Sequence, residues 1–93
     1  MSDLSDARLV QIAKVLSDKT RLRIVMEISK RGNVSCSEAS EFADLSQPTI
    51  SHHVKLLLKS GVVHAQKDGR HSILSINKAV LAEFKGVIEQ ILK

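Results

Sequence analysis

Apolar residues recur along this chain at two spacings, and the changes between them divide it into elements. As far as Leu57 they return every three or four residues, the repeat that gathers side chains on one face of an α-helix. Between Val62 and Ile76 they fall into two short runs rich in Val, Ile and Leu, and from Val80 to Leu92 the helical spacing resumes.

The punctuation between these stretches is specific. A first helix is expected from near Ser2 or Asp3 to Leu16, with Leu4, Ala7, Val10, Ile12, Ala13 and Leu16 on a face wide enough for two packing partners. Asp18 is a good N-cap for a second helix, with Leu22, Val25, Met26 and Ile28 expected inside. Lys30 and Arg31 then put cations at the negative end of its dipole before Gly32 stops it. Asn33 and Val34 predict a short strand. Ser35 and Glu38 have the spacing of a capping box, and Ala39, Phe42 and Ala43 carry a third helix of about two turns. After a three-residue turn Ser46 caps a fourth helix, which tolerates Pro48 in its first turn and ends at Gly61.

The fourth helix organises the rest. At about 100° per residue, Ile50, His53, Val54 and Leu57 share one side, and Ser51, His52, Lys55 and Lys59 share the other. One side packs; the other donates hydrogen bonds, carries positive charge and has no acidic residue. Two short helices joined by a tight turn form a helix-turn-helix, whose second helix enters the major groove of DNA. Next come strand-like runs over 62–67 and 70–76, separated by Asp68-Gly69, a strong signal for a two-residue hairpin turn. A hairpin tipped by Lys67 and Arg70 is a wing. In the last helix, capped by Asn77, Leu81, Phe84, Ile88 and Ile91 repeat at spacings of three and four, a seam broader than a small domain core needs.

The fold expected is mainly α with a small β-hairpin (α+β): a dimeric winged helix-turn-helix of five helices and a β-wing, in one domain over 1–93. Within it, 36–59 form the helix-turn-helix and 62–76 the wing. Residues 1–17 and 77–93 supply the dimerisation helices, with Leu4, Leu81, Phe84, Ile88 and Ile91 at the interface.

Charge sharpens the picture. The net charge is +4, and the segment from Leu45 to Lys78 accounts for all of it, with Lys55, Lys59, Lys67, Arg70 and Lys78 against Asp68 alone. All four histidines, His52, His53, His64 and His71, lie there too. A localised basic patch is the footprint of a polyanion. Readers of single-stranded nucleic acid stack bases on aromatic rings, but this chain has no Trp or Tyr, and its two Phe residues fall on apolar stripes. Duplex DNA is therefore the expected partner. Gln47, Thr49, Ser51 and His52 are candidates for base edges or nearby phosphate, and Lys55, Lys59, Lys67 and Arg70 for phosphate. His53 is expected to pack, partly buried. The Lys19, Arg21 and Arg23 cluster is read as solvated, with phosphate contact as the alternative. With neither a signal segment nor a run of 18 apolar residues, the chain is expected to be soluble and cytoplasmic, without a membrane partner.

These residues resemble the ArsR/SmtB family of winged helix-turn-helix repressors. The matching pieces are Leu16-Ser17-Asp18-Lys19-Thr20-Arg21-Leu22-Arg23-Ile24, Leu45 to Lys55, Ser60-Gly61-Val62-Val63, and Lys67-Asp68-Gly69-Arg70-His71, in the family's order and spacing. The resemblance implies a homodimeric transcriptional repressor that reads an inverted repeat. It does not extend to metal sensing. Where many members carry a Cys-x-Cys pair at the start of the third helix, this chain has Ser35 and Ser37 around Cys36, and hydroxyls do not replace thiolates for soft metals. Others bind zinc through Asp and His on the last helix, but from Asn77 to Lys93 there is neither. No metal and no other cofactor is expected, and a small-molecule or redox effector stays open. Cys36 is read first as a small buried apolar residue; the alternative is a thiolate favoured by the helix dipole and open to oxidation. Nothing resembles a catalytic constellation, so no enzyme is expected. The alternative function is a winged-helix protein-interaction module without specific DNA binding.

Overall fold

The computed structural model describes residues 6–93. Five helices, α1 (Asp6–Leu16), α2 (Lys19–Arg31), α3 (Cys36–Ala43), α4 (Gln47–Ser60) and α5 (Lys78–Ile91), surround a sheet of β1 (Val34–Ser35), β2 (Val63–Asp68) and β3 (His71–Ile76). The sheet is antiparallel, in the order β1-β3-β2. This is the winged helix-turn-helix read from the sequence. The proposed start of the first helix near Ser2 or Asp3, and Leu4 on its interface, lie outside the described residues.

The caps are made by the expected side chains. Asp18 accepts from the Arg21 N–H at 3.0 Å. Ser35 and Glu38 form a reciprocal capping box, the Ser35 hydroxyl accepting from Glu38 N–H at 3.0 Å and the Glu38 carboxylate from Ser35 N–H at 2.9 Å. Gly61 ends α4 at φ 82°, a left-handed conformation that costs other residues about 1–2 kcal/mol. A Cβ at Gly61 would also collide with the Arg8 guanidinium lying over it. The fully buried Ser60 completes this corner: its hydroxyl donates to the Leu57 carbonyl at 2.7 Å and accepts from Val62 N–H at 3.3 Å.

The core gathers one side of every element but α5. Ile12, Ile24, Ile28, Val34, Ala39, Ile50, Leu57, Val62 and Leu74 are sealed from solvent, and Val15, Val25, Val54 and Val63 nearly so. Burying one such side chain contributes about 1.5–3 kcal/mol. In α2 the reading from sequence needs correction. Leu22 and Met26 are 42% and 52% exposed, and the inward row is Arg21, Ile24, Val25 and Ile28. Arg21 takes an inward place because its guanidinium finds acceptors there, and this turns Leu22 and Met26 toward water.

The hairpin turn is also one residue away from the expected one. Asp68 pairs with His71, so the two turn residues are Gly69 and Arg70. Gly69 takes φ 63°, whereas neither Asp68 nor Arg70 has positive φ. A Gly-first turn needs positive φ at one position only; an Asp-Gly turn would force Asp68 there as well. The expected register would also set Lys67 opposite Arg70, and like charges directly across a ladder repel. The observed register sets Lys67 opposite Ser72.

Helix α5 stands apart. No residue of it is buried; Val80, Leu81 and Phe84 pack half-buried on the core, and Ile88, Ile91 and Leu92 are 42%, 73% and 79% exposed. Its cap Asn77 is tied to the sheet by its backbone N–H, which donates to the Val62 carbonyl at 2.9 Å.

Acid should loosen two helix starts together. The Arg21 N–H on Asp18 and the Ser35 N–H on Glu38 hold both carboxyls below their ordinary values. A carboxyl with a depressed folded-state pKa stabilises the fold fully above its unfolded value, and that contribution disappears as pH falls through the folded value. Stability to urea should therefore decline as pH drops through the carboxylate range. Asp18→Asn with Glu38→Gln should flatten that decline; an unchanged slope would show that these caps do not govern it.

Candidate nucleic-acid interface

The bare side of α4 follows from what its other side does. Ile50, Val54 and Leu57 anchor the helix in the core, so Pro48, Ser51, His52, Lys55 and Lys59 face water. All five are exposed, and the helical repeat places Gln47 and Thr49, also exposed, at the two edges of that face. Ser46 caps the helix from Thr49 N–H at 3.4 Å, and its hydroxyl lies 2.9 Å from the Thr49 hydroxyl. The Thr49 side chain thus has a partner within the turn and less hydrogen-bonding capacity to offer outside. The turn into α4 is held by Asp44 in the left-handed region at φ 53° and by the Ser40 hydroxyl, which donates to the Leu45 carbonyl.

Beyond α4 the wing projects Lys67 and Arg70, both exposed, with Asp68 and His71 paired beside the turn. His64 and His71 are exposed on strands β2 and β3. Every residue read as a DNA contact is solvent-facing, and the outward face of α4 carries no carboxylate. Short hydrogen-bonding side chains early in the helix, with cations later and on the wing, are what base edges and flanking phosphates require.

Arg21, read from sequence as solvated, is a clamp. Its Nε donates to the Val15 carbonyl at 3.0 Å, and its Nη1 lies 3.1 Å from His53 Nδ1. A guanidinium only donates, so this hydrogen bond forms with the His53 tautomer that leaves Nδ1 bare. The Asp18 carboxylate lies 3.8 Å from the same nitrogen. His53 packs half-buried as expected, and through Arg21 the inner edge of α4 is tied to the corner between α1 and α2.

A second strut holds α3. Phe42 lies against two guanidinium groups, Arg23 at 5.6 Å and Arg31 at 5.2 Å from the ring centre. Arg31 also bonds Glu27 at 3.1 Å and approaches Glu38 at 3.7 Å. In the sequence Phe42 reads as an ordinary member of an apolar stripe, and no spacing announces that α2 would offer it cations.

Cys36 is half-buried, and burial pushes its thiol up from the ordinary value. Cys36 packs against the core, the surroundings expected of a small apolar residue. Among the described residues no group of three or more His, Cys, Asp or Glu side chains is placed to hold a metal ion.

Comparison with known proteins agrees with this geometry. A helix-turn-helix domain family model matches residues 16–65. The arsenical resistance operon repressor of Staphylococcus aureus is 36% identical over 78 residues, 84% of this chain and 74% of that protein. The transcriptional repressor SdpR of Bacillus subtilis is 31% identical over 72 residues, 77% of this chain and 79% of its own length. A crystal structure of an ArsR family transcriptional regulator superposes with a TM-score of 0.86 at 25% identity, covering 99% of this chain and 93% of that one.

If Arg21 locks α4, Arg21→Ala should cost about 1–3 kcal/mol, because it removes charge-assisted bonds and leaves the Val15 carbonyl without this donor. Urea unfolding would give the energy. In NMR spectra of the folded variant the His53 ring resonances should move; if they do not, the clamp is absent in solution.

Proposed function

The chain belongs to the ArsR family of helix-turn-helix transcriptional regulators, and from that membership we propose that it acts as a homodimeric repressor reading an inverted repeat. It is a DNA-binding transcriptional regulator, and the finer reading rests on one observation above others. The segment with α4, the wing and the start of α5 carries five cations against Asp68 alone, equal to the whole net charge, whereas in the rest of the chain acids and bases cancel in sum.

In this reading the two α4 helices of a dimer enter successive major grooves about 34 Å apart. Gln47, Ser51 and His52 meet base edges, with Thr49 contributing less because its hydroxyl is engaged by Ser46. Lys55, Lys59, Lys67 and Arg70 meet phosphate. The dimer forms along α1 and α5, whose exposed Val10, Ile88, Ile91 and Leu92 have no cover within the chain's described residues. Repression is the activity named for the relatives in Staphylococcus aureus and Bacillus subtilis. The arsenical response does not carry over with it. Where a thiolate pair would stand, the Ser35 hydroxyl is occupied as the α3 cap and Ser37 is a second hydroxyl, so neither supplies a soft ligand. Regulation in the cytoplasm without catalysis completes the reading; no described helix is long and apolar enough to cross a membrane.

Fluorescence anisotropy with duplex DNA from upstream of the gene, against a scrambled duplex, tests the DNA-facing residues. Gln47→Ala and His52→Ala should narrow the preference for the native duplex, by about 1–3 kcal/mol for each base edge no longer read. Lys67→Ala and Arg70→Ala should weaken both duplexes alike and lower the salt slope by about 0.9 for each phosphate no longer neutralised. An Arg70→Ala variant that altered specificity at constant slope would overturn the wing assignment.

The dimer is best probed at the exposed end of α5, because Phe84 also packs on its own core. Ile88→Glu with Ile91→Glu should give folded monomers by sedimentation. A persistent dimer would move the interface elsewhere.

A further inference from the structure

A groove of about 540 Å³ runs between α5, the C-terminal end of α2 and the end of β3, and no residue of α4 lines it. Its floor is apolar, with Ile28 sealed beneath and Ile76 and Leu81 half-buried at the sides. Lys78 and Lys85 stand along α5, and the Ser75 hydroxyl has no partner among the described residues. No carboxylate lines the groove. Lys85 lies 3.6 Å from Glu89, but both side chains are highly exposed and such pairs are weak.

These features select a ligand class. The volume falls in the range of small-molecule sites, roughly 300–1,000 Å³. The two lysines are seven residues apart, about 10 Å along the helix, which is too short a trough for a partner helix of several turns. An apolar floor beneath two cations, with no acid opposing them, suits a molecule with a hydrocarbon body and one negative head. We propose that this groove binds a small amphipathic organic anion, such as a medium-chain or aromatic carboxylate, and that the bound anion alters DNA affinity. The second half rests on the DNA-binding reading proposed above; the first does not. Occupancy would act where α5, with its uncovered apolar end, meets β3, which forms half of the wing.

The probe is octanoate, titrated without DNA into the ¹⁵N-labelled protein and compared with octan-1-ol. Expected are saturable shifts at the amides of Ser29, Gly32, Ser75 and Ala82, with octanoate binding more tightly than the alcohol. Lys78→Gln with Lys85→Gln should weaken octanoate about threefold to tenfold and leave the alcohol unchanged. The proposal is overturned by the absence of saturable shifts, by equal binding of acid and alcohol, or by shifts confined to Ile88, Ile91 and Leu92. Anisotropy with the native duplex at saturating octanoate then tests the effector role. A change of at least about threefold in affinity supports it, and an unchanged affinity removes the effector role while leaving the site. Failure of the chain to bind DNA at all would defeat the repressor reading, with the groove already decided by the titration.

Discussion

Everything in this fold depends on α4 burying one side completely while keeping the other bare. Ile50 and Leu57 are sealed and Val54 nearly so, which fixes the rotation of the helix about its axis. A helix held by aliphatic contacts alone could still slide or tilt, since such contacts have no direction. The Arg21 bonds to Val15 and His53 remove that freedom with directional geometry. Hydrophobic burial therefore decides which face of α4 is left to solvent, and the Arg21 contacts tie its inner edge to the corner between α1 and α2.

What is legible in the sequence is what depends on neighbours in the chain. Caps at Asp18, Ser35, Ser46 and Asn77, the stop at Gly61, and the bare face of α4 all follow from residues within a turn of one another. Errors arise where distant partners decide. Arg21 reads as solvated because its acceptors are the Val15 carbonyl and a histidine 32 residues away, and once it turns inward Leu22 and Met26 must turn out. The hairpin turn falls one residue from the Asp-Gly pair because cross-strand pairing sets the register as strongly as turn propensity does. Cys36 stands in the first turn of α3, as its position after Ser35 implies, and its burial raises the thiol. The side chains assigned to DNA are legible as exposed groups of suitable chemistry, and their roles rest on that chemistry.

Helix α5 shows how a small domain distributes its apolar residues. A chain of this length buries a limited share of its surface, and aliphatic side chains left at an exposed helix end reduce solubility without adding to the core. Val80, Leu81 and Phe84 serve the core, whereas Ile88, Ile91 and Leu92 serve nothing in the described chain. The stripe is continuous across that division. One helix thus belongs to two packing units, its own domain and whatever covers its far end, and the proposed second copy is the simplest cover.

The connection between the two ends of the molecule runs through α2. Its first turn carries the Arg21 clamp on α4, its middle and end hold Phe42 of α3 between Arg23 and Arg31, and its last turn floors the groove beside α5. A thirteen-residue helix is roughly 20 Å long and behaves as a stiff rod. The groove thus borders the end of the helix whose first turn holds α4, which is the path along which the proposed ligand would act. Helix α2 carries five cations against Glu27 alone, but Arg21 is engaged by Val15 and His53, and Arg23 and Arg31 lie against Phe42. Its charge therefore serves the packing of α3 and α4, and a ligand in the proposed groove would act on DNA through that packing.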